Sequence, residues 1–337
     1  MNAPREPALA PAQLFRAQTA RAQATLIAHL SGDNLGSLVE FTAVEEIHRR
    51  YPDGVRTMAD GGAFSTLAGQ PTDDGEMTLA LARSLVERKT YDAVHAKAAY
   101  VRWRNSGPFD CGTTIANALA GVPTPQSQAN GALMRVAPLG IFGARRATLD
   151  EVATLNQVAP LNQVATWAER DAALTHPHLI CRQANALYAM AIAHAIRTGP
   201  TPAELHDFIR AQAVARNVEP ALMEVIAQSA TQPPATYTRQ IGWVLIALHN
   251  ALWQLLHAPS LEEGIVGTIM CGGDTDTNAA IAGALFGSVY GMQAVPERWT
   301  ATLANCRADQ GEPTAPTRRP QQYWPVDAAD LAAKLLG

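Results

Sequence analysis

Residues 271–290 read CGGDTDTNAAIAGALFGSVY, a polar turn that leads directly into a run of small and apolar side chains. The run from residue 279 onward consists mainly of Ala and Gly with a few large apolar residues, and it carries no charge. A helix that is apolar on every side is one that a protein buries. This stretch therefore predicts a closely packed interior helix whose N-terminus carries two aspartates, Asp274 and Asp276.

The rest of the chain also favours helix, because it is rich in Ala and Leu and poor in alternating β-branched runs. Capping-box patterns predict helix starts at Thr148, Thr201 and Ser260. The Gly-Pro pair at 199–200 predicts the end of the helix over 184–197. Short connections of this kind are typical of neighbouring antiparallel helices. We therefore expect an all-α fold, a compact single-domain multi-helix bundle.

Three segments differ from this helical pattern. Residues 1–20 form a predicted flexible N-terminal arm, which leaves 21–337 as the folded domain. Residues 107–143 are dense in Gly, Pro, Ser and Asn, and residues 308–325 are rich in Pro, so both are expected to be irregular. The first of these is too long for a simple connector, which makes it a candidate site loop.

Composition excludes several classes of protein. The formal net charge is −4, from 26 Lys and Arg against 30 Asp and Glu, with no dense basic run, so nucleic acid is not an expected partner. Polar residues interrupt the oiliest segment, 241–256, so no membrane span is expected. The cysteines are far apart and predict reduced thiols in a cytoplasmic protein. They are Cys111, Cys181, Cys271 and Cys306.

A second acidic turn, Thr72-Asp73-Asp74, precedes an amphipathic segment with apolar residues at i, i+4 and i+8. The two aspartates are therefore expected at a helix N-terminus. One interpretation is structural: Asp73 caps the helix, and Glu76 is its capping-box partner. The other interpretation is that these carboxylates bind a ligand.

Taken together, the two acidic turns favour metal binding. Removing unpaired carboxylates from water is costly, and neighbouring carboxylates repel each other unless a cation or a proton intervenes. If the turns converge, their carboxylates and hydroxyls form an all-oxygen site, which suits Mg²⁺ or Mn²⁺. Convergence of turns at 72–74 and 274–277 is a hypothesis at this point, since spacing alone does not establish it.

Six motifs in order along the chain resemble those of the ADP-ribosylglycohydrolase family, which includes dinitrogenase-reductase-activating glycohydrolases and ADP-ribosylarginine hydrolases. Two of the six motifs are the acidic turns at 72–74 and 274–277, which resemble the family's two metal motifs. The other four motifs are SGDNLGSLVEF at 31–41, FDCG at 109–112, NGALMR at 130–135 and LTH at 174–176.

The resemblance implies a compact all-α fold that holds two divalent cations, Mg²⁺ or Mn²⁺, and removes ADP-ribose from a modified side chain. It gives Asp33, in the first motif, a structural rather than a catalytic role. It also implies a metal shell drawn from both acidic turns. The members of that shell are Thr72, Asp73, Asp74, Asp274, Asp276 and Thr277.

The same resemblance assigns roles around the substrate. Asp110 matches a catalytic aspartate, although in isolation it is more typical of a helix N-cap. Glu40 matches an acidic residue that gates or orients the reaction. Asn130, Gly131 and His176 match positions beside the ADP-ribose, where His176 would bind a phosphate or ribose oxygen rather than a metal.

The function predicted from these residues is metal-dependent hydrolysis of the bond between ADP-ribose and a modified arginine of a target protein. One alternative keeps the chemistry and changes the linkage to ADP-ribosylserine or O-acetyl-ADP-ribose. Another alternative is an immunity protein that binds and blocks an ADP-ribosylating toxin. The expected partners are accordingly an ADP-ribosylated protein substrate and, in the last case, the toxin, which the arm 1–20 would contact.

Overall fold

The computed structural model describes residues 10–144, 161–308 and 317–337. Within these ranges the chain forms fifteen α-helices, two short 3₁₀ turns and no β-strand, which confirms the all-α prediction. The 3₁₀ turns are Met292–Ala294 and Gln321–Tyr323. The helices are α1 Pro11–Ser37, α2 Val44–Arg50, α3 Asp73–Arg88, α4 Ala93–Asn105, α5 Thr113–Leu119, α6 Ala137–Gly143, α7 Leu161–Ala173, α8 Leu179–Thr198, α9 Pro202–Ala215, α10 Pro220–Gln228, α11 Val244–His257, α12 Leu261–Met270, α13 Thr275–Tyr290, α14 Glu297–Asn305 and α15 Ala328–Leu336.

Helices α1 and α13 form the centre of the fold and pack along each other with glycines at the contact. A Cβ added to Gly283 of α13 would lie 2.3 Å from the carbonyl oxygen of Ala28 in α1. In the opposite direction, a Cβ on Gly32 of α1 would lie 2.2 Å from the carbonyl oxygen of Ala279. Each helix therefore needs glycine where the other helix's backbone passes, because side chains of ordinary size do not fit.

The other helices surround this pair. Helix α13 is buried from its first turn almost to its end, which confirms the interior helix expected at 279–290. Helices α8, α11 and α12 also pack against α13, and α15 packs against α1. The N-terminus of α13 and the C-terminal half of α1 consequently lie side by side in the interior.

The helix boundaries follow the chemistry of their end residues. Thr201 and Glu204 cap each other reciprocally at the start of α9, and Ser260 accepts a backbone hydrogen bond at the start of α12. Gly199 ends α8 in the left-handed conformation, with φ of 62°. These predictions are confirmed. The capping box at Thr148 lies outside the described residues.

Two of the segments that were expected to be irregular contain regular structure. Helix α1 begins at Pro11, inside the predicted arm 1–20, while residues 1–9 lie outside the described ranges. The stretch 107–143 includes the short helices α5 and α6, so its irregular assignment is wrong in part. Pro138 lies in the first turn of α6, where a backbone N–H would have no partner within the helix, so its absence breaks no hydrogen bond of the helix.

In the segment 308–325, residues 309–316 lie outside the described ranges, and the rest includes the 3₁₀ turn Gln321–Tyr323.

None of the helices within 10–144, 161–308 and 317–337 has the length and apolar character needed to cross a bilayer.

The glycine contact between α1 and α13 can be tested by adding one methyl group. We expect Gly283→Ala to lower the free energy of unfolding by roughly 1–3 kcal/mol or more, because its Cβ would overlap the backbone of α1. Chemical denaturation followed by circular dichroism measures the loss.

Gly267→Ala in α12 is the matched control. Its Cβ would meet only the flexible end of the Gln254 side chain, at 3.3 Å. Since Ala favours helix over Gly by about 1 kcal/mol, this variant should be unchanged or more stable than the wild type. Equal stability losses in the two variants would contradict the close approach of α1 and α13.

Candidate active site

The first acidic turn is held in place by Asp33 of α1. The Asp33 carboxylate accepts hydrogen bonds from the backbone N–H of Thr72 at 3.1 Å, from the Thr72 hydroxyl at 2.8 Å and from the N–H of Gly75 at 3.0 Å. Asp33 therefore satisfies the free N–H groups at the start of α3 from another helix. The structural role expected for Asp33 agrees with these contacts.

The interpretation that Asp73 caps α3 is wrong. Thr72 is the N-cap residue and makes no capping hydrogen bond, while Asp73 and Asp74 lie inside the first turn. Glu76 does not close a capping box, since Arg319 binds its two oxygens at 2.7 and 2.8 Å. Trp103 also donates to Glu76 at 2.7 Å. Because Asp33 already supplies the cap, the two aspartates of the turn are left free for another role.

The second acidic turn meets the first at the start of α13. The Thr277 hydroxyl lies 3.3 Å from Asp74 Oδ2, so the structure brings the two turns together. The Thr275 hydroxyl donates to the carbonyl oxygen of Gly36 at 2.8 Å, which fixes the turn to α1. Gly273, which directly precedes Asp274, has a φ of 77°, and a Cβ at this position would lie 2.1 Å from the carbonyl oxygen of Tyr237. Both observations require glycine here.

Glu40 and Asp110 join the same group of carboxylates. Glu40 follows the end of α1, and Asp110 precedes α5, whose N-cap residue is Gly112; Asp110 is therefore not a helix cap. Carboxylate oxygens of Glu40, Asp110 and Asp276 lie within 4.8 Å of one another, an arrangement that could hold a metal ion. Burial, followed by the charge of the neighbouring Asp110, raises the pKa of Asp73 well above its ordinary value.

Burial and mutual repulsion dominate the electrostatics of this group of acids, which we call the carboxylate cluster. Its members are Glu40, Asp73, Asp74, Asp110, Asp274 and Asp276. Burial, followed by the charge of Asp73, raises the pKa of Asp74 well above its ordinary value. Burial followed by the charge of Glu40 does the same for Asp276, and the same two causes raise the pKa of Asp110 to about 7. Burial is also the main reason that the pKa of Glu40 rises to about 8. The cluster is therefore unstable as a set of bare anions.

Two buried oxygen atoms of the cluster have no hydrogen-bond partner within residues 10–144, 161–308 and 317–337. They are Asp74 Oδ1 and Glu40 Oε2. Buried carboxylate oxygens normally find a donor or a cation. An all-oxygen set of ligands with unsatisfied atoms fits a hard divalent cation such as Mg²⁺ or Mn²⁺.

The cluster lines a cavity of about 280 Å³. Asn130, Gly131 and His176, which match positions beside the ADP-ribose in the family resemblance, line the same cavity. Asn130 donates to Asp274 Oδ2 at 2.7 Å, so it also orients an acid of the second turn. A Cβ on Gly131 would lie 3.1 Å from His176 Cε1, which explains the need for a small residue here.

His176 is wholly buried, and its Nε2 has no hydrogen-bond partner in the part of the chain that the structure describes. Burial, followed by the charge of Arg135, lowers the pKa of His176 to about 3, so the imidazole is neutral near pH 7. The neighbouring His178 has a different role, because its Nδ1 accepts from the N–H of Ile180 and caps α8. The pair does not act as a His-x-His metal ligand in this arrangement.

Three aromatic rings lie beside the acids Glu40 and Asp110. Phe41 is 74% exposed, has φ of 60° and lines the cavity. Its ring centroid lies 6.3 Å from that of Phe64, which in turn lies 5.5 Å from that of Phe109. We call these three residues the aromatic rim.

Several residues that contribute to the site were not predicted from the sequence. Phe41 and Phe109 stand directly next to predicted acids, a signal that could have drawn attention to them. Phe64 carried no comparable signal, and Arg135 ended the quoted motif NGALMR without an assigned role, because the contacts of both depend on how distant segments meet.

Known proteins provide an independent comparison. The family model described as ADP-ribosylglycohydrolase matches residues 16–325 of this chain. ADP-ribosylarginine hydrolase Tri1 of Pseudomonas putida (strain GB-1) is 29% identical over 329 residues, which cover 90% of this chain and 81% of that protein. ADP-ribosyl-[dinitrogen reductase] glycohydrolase of Rhodospirillum rubrum is 29% identical over 283 residues, which cover 81% and 86% of the two chains.

A solved structure described as an ADP-ribosylglycohydrolase-related protein complex superimposes with a TM-score of 0.71 at 24% identity. The match covers 95% of this chain and 98% of that chain, so the two share their fold.

Repulsion within the cluster leads to a testable prediction about stability. Asp276→Asn should raise the free energy of unfolding in the presence of a chelator, since a buried acid with a raised pKa costs about 1.4 kcal/mol per pKa unit above its ordinary pKa. The same change should abolish any rise in Tm on adding Mg²⁺, because a ligand carboxylate is lost. Thermal unfolding with chelator and with Mg²⁺ measures both effects.

Asp207→Asn, an exposed acid that pairs with Arg210, is the control and should leave both values near those of the wild type. A Mg²⁺-induced rise in Tm that persists unchanged in Asp276→Asn would contradict a cation bound by this residue.

Proposed function

This chain belongs to the ADP-ribosylglycohydrolase family, an enzyme family of hydrolases, and we propose that it releases ADP-ribose from modified arginine side chains of target proteins. The observation that carries this proposal is that both acidic turns line one cavity together with two further acids, Glu40 and Asp110. A cluster of buried, mutually repelling carboxylates costs stability, so a fold retains it for binding or chemistry.

We propose that the two turns hold two divalent cations, Mg²⁺ or Mn²⁺. Such ions would supply Lewis-acid charge that holds ribose oxygens and activates water. The unsatisfied oxygen of Asp74 and the all-oxygen character of the cluster support this assignment. The residues that would hold the ions are Thr72, Asp73, Asp74, Asp274, Asp276 and Thr277.

In the proposed reaction, the oxygen of a water molecule forms a bond to the anomeric carbon of the ribose. The bond between that carbon and the guanidine nitrogen breaks, and its electron pair goes to the nitrogen. The proton that water loses balances the proton that the nitrogen gains. We propose that Asp110 carries this proton, and its position on the cavity wall, together with Asp73 and Glu40, supports that role.

Asn130, Gly131 and His176 would bind the ADP-ribose moiety. All three line the cavity, and Asn130 is tied to Asp274, so ligand binding and the acidic turn are linked directly. The absence of a side chain at Gly131 lets its backbone lie against Ile115 and His176 at the cavity.

The aromatic rim supports arginine as the modified residue. A guanidinium group is a planar cation that stacks on aromatic rings and is attracted by carboxylates. Phe41 exposes such a ring at the cavity, and Glu40 lies next to it in the chain. A serine or O-acetyl linkage presents a neutral leaving group, for which this combination offers no comparable attraction. The toxin partner weighed in the sequence analysis draws no support from the relatives described above.

Activity on a defined substrate tests the proposal. Purified protein with Mg²⁺ or Mn²⁺ should release ADP-ribose from arginine-modified protein faster than from serine-modified protein. Asp274→Ala should abolish release, and Asp110→Asn should lower kcat by roughly 100-fold or more while the protein still binds ADP-ribose. Chromatography of the released ADP-ribose measures the rates.

The exposed Asp207→Asn variant provides the control and should keep full activity. Full activity of Asp274→Ala, or activity that a chelator leaves unchanged, would overturn the metal-dependent mechanism. A faster rate on the serine-modified substrate would overturn the arginine assignment.

The aromatic rim makes a separate prediction. Phe41→Leu keeps an apolar side chain and removes the ring, so KM for arginine-modified protein should rise about two- to fivefold, as expected for an exposed cation–π contact. Affinity for free ADP-ribose should stay the same, since it lacks the guanidinium group. Steady-state kinetics and calorimetry measure the two values. Val122→Ala, another exposed apolar residue, is the control. An equal loss of affinity for free ADP-ribose would contradict this role of Phe41.

A further inference from the structure

A chain of buried hydrogen bonds leads from the interior to the cavity. The Arg135 guanidinium donates through Nε to Asp171 Oδ2 at 3.1 Å and through Nη1 to the Thr175 hydroxyl at 2.9 Å. The Thr175 hydroxyl lies 2.8 Å from His176 Nδ1. All four residues are fully buried. The outer nitrogen of this chain, His176 Nε2, has no partner in the described residues and belongs to a side chain that lines the cavity.

Arg135 is fixed from several directions. Its Nη2 donates to the carbonyl oxygen of Asp171 at 3.0 Å, and its Cζ lies 4.5 Å from the centroid of the Tyr100 ring. The Tyr100 hydroxyl donates to Asp171 Oδ1 at 2.9 Å. The guanidinium therefore has a single orientation, and the Thr175 hydroxyl has a fixed donor on one side.

These contacts determine which nitrogen of His176 carries the proton. A guanidinium is always a donor, so the Thr175 oxygen accepts from Arg135. The remaining hydroxyl proton of Thr175 then has His176 Nδ1 as its acceptor, since no other acceptor for it lies among the described residues. A neutral imidazole whose Nδ1 accepts carries its proton on Nε2. The free Nε2 is accordingly a donor.

We propose that Asp171, Arg135 and Thr175 act as positioning residues that hold His176 as the Nε2–H tautomer, and that this N–H binds a phosphate oxygen of the ADP-ribose moiety. This inference rests on the proposed function for the identity of the ligand. The tautomer itself depends only on the contacts within the protein.

Charge favours a phosphate as the acceptor. Arg135 behind His176 is paired with Asp171, so this side of the cavity carries no net charge, whereas repelling carboxylates surround Asp74 and Asp276. The anionic part of a ligand is therefore less strongly repelled beside His176 than beside the carboxylate cluster. A hydrogen bond from a neutral N–H to an anionic oxygen is stronger than one to a neutral oxygen.

The tautomer can be observed in the free protein. In ¹⁵N-labelled wild type, nuclear magnetic resonance should show His176 with a protonated Nε2 and an unprotonated Nδ1. Thr175→Ser keeps the hydroxyl and should preserve this pattern, whereas Thr175→Val should give a detectable Nδ1–H form. A proton on Nδ1 of His176 in the wild type would overturn the proposal without any need for a variant.

Binding tests the role of the N–H. Thr175→Val should weaken binding of both ADP-ribose and ADP about tenfold, as expected for a hydrogen bond to a charged group, and should raise KM with little change in kcat. Thr175→Ser should restore affinity. Thr25→Val removes a buried hydroxyl that donates to a backbone carbonyl in α1, so it controls for the loss of any buried hydroxyl and should bind normally.

The outcomes separate this inference from the proposed function. Unchanged affinity in Thr175→Val, or a loss that Thr175→Ser does not restore, would overturn the positioning role. A loss for ADP-ribose alone would overturn the phosphate assignment, because ADP contains the diphosphate but not the second ribose. Absence of arginine-specific hydrolysis, with the tautomer and both binding losses as predicted, would overturn only the proposed function.

Discussion

The close contact between α1 and α13 is the constraint on which the rest of the structure depends. Glycines allow the two backbones to approach, and the same contact continues into the site: a Cβ on Gly36 would lie 2.4 Å from the Cα of Asp276. Helix α1 supplies Asp33 and leads to Glu40, and the start of α13 supplies Asp276. The distance between the helices thus determines how closely these carboxylates are held, and a wider separation would pull the cluster apart.

This arrangement places an electrostatic cost at the centre of the fold. Burial and neighbouring charges raise the pKa values of Asp74 and Asp276, so the ionised form of each acid is destabilised. Apolar packing of α13 compensates for that cost. Glu76 shows the contrast, because Arg319 and Trp103 satisfy its oxygens and leave it a structural role. Glu76 is paired with a cation, Arg319, whereas other carboxylates surround the acids of the candidate site.

Much of the fold could be predicted because the signals are local. The small residues of α13, the reciprocal cap at Thr201 and the left-handed Gly199 each report on their own surroundings. The acidic turns were recognisable for the same reason. By contrast, Asp33 caps α3 across 39 residues, and Arg135 reaches Thr175 across 40 residues. Neither partner can be identified until the chain is folded, so the capping acid and the support behind His176 could not be read from pattern alone.

The order in which the chain is synthesised gives the α1–α13 contact a further consequence. The Thr275 hydroxyl bonds to the carbonyl oxygen of Gly36 across 239 residues, and Arg319 reaches Glu76 across 243 residues. Helix α1 is therefore synthesised well before its partner α13. Contacts this distant in sequence are slow to form. The carboxylates of the two acidic turns therefore cannot meet until α13 has been synthesised.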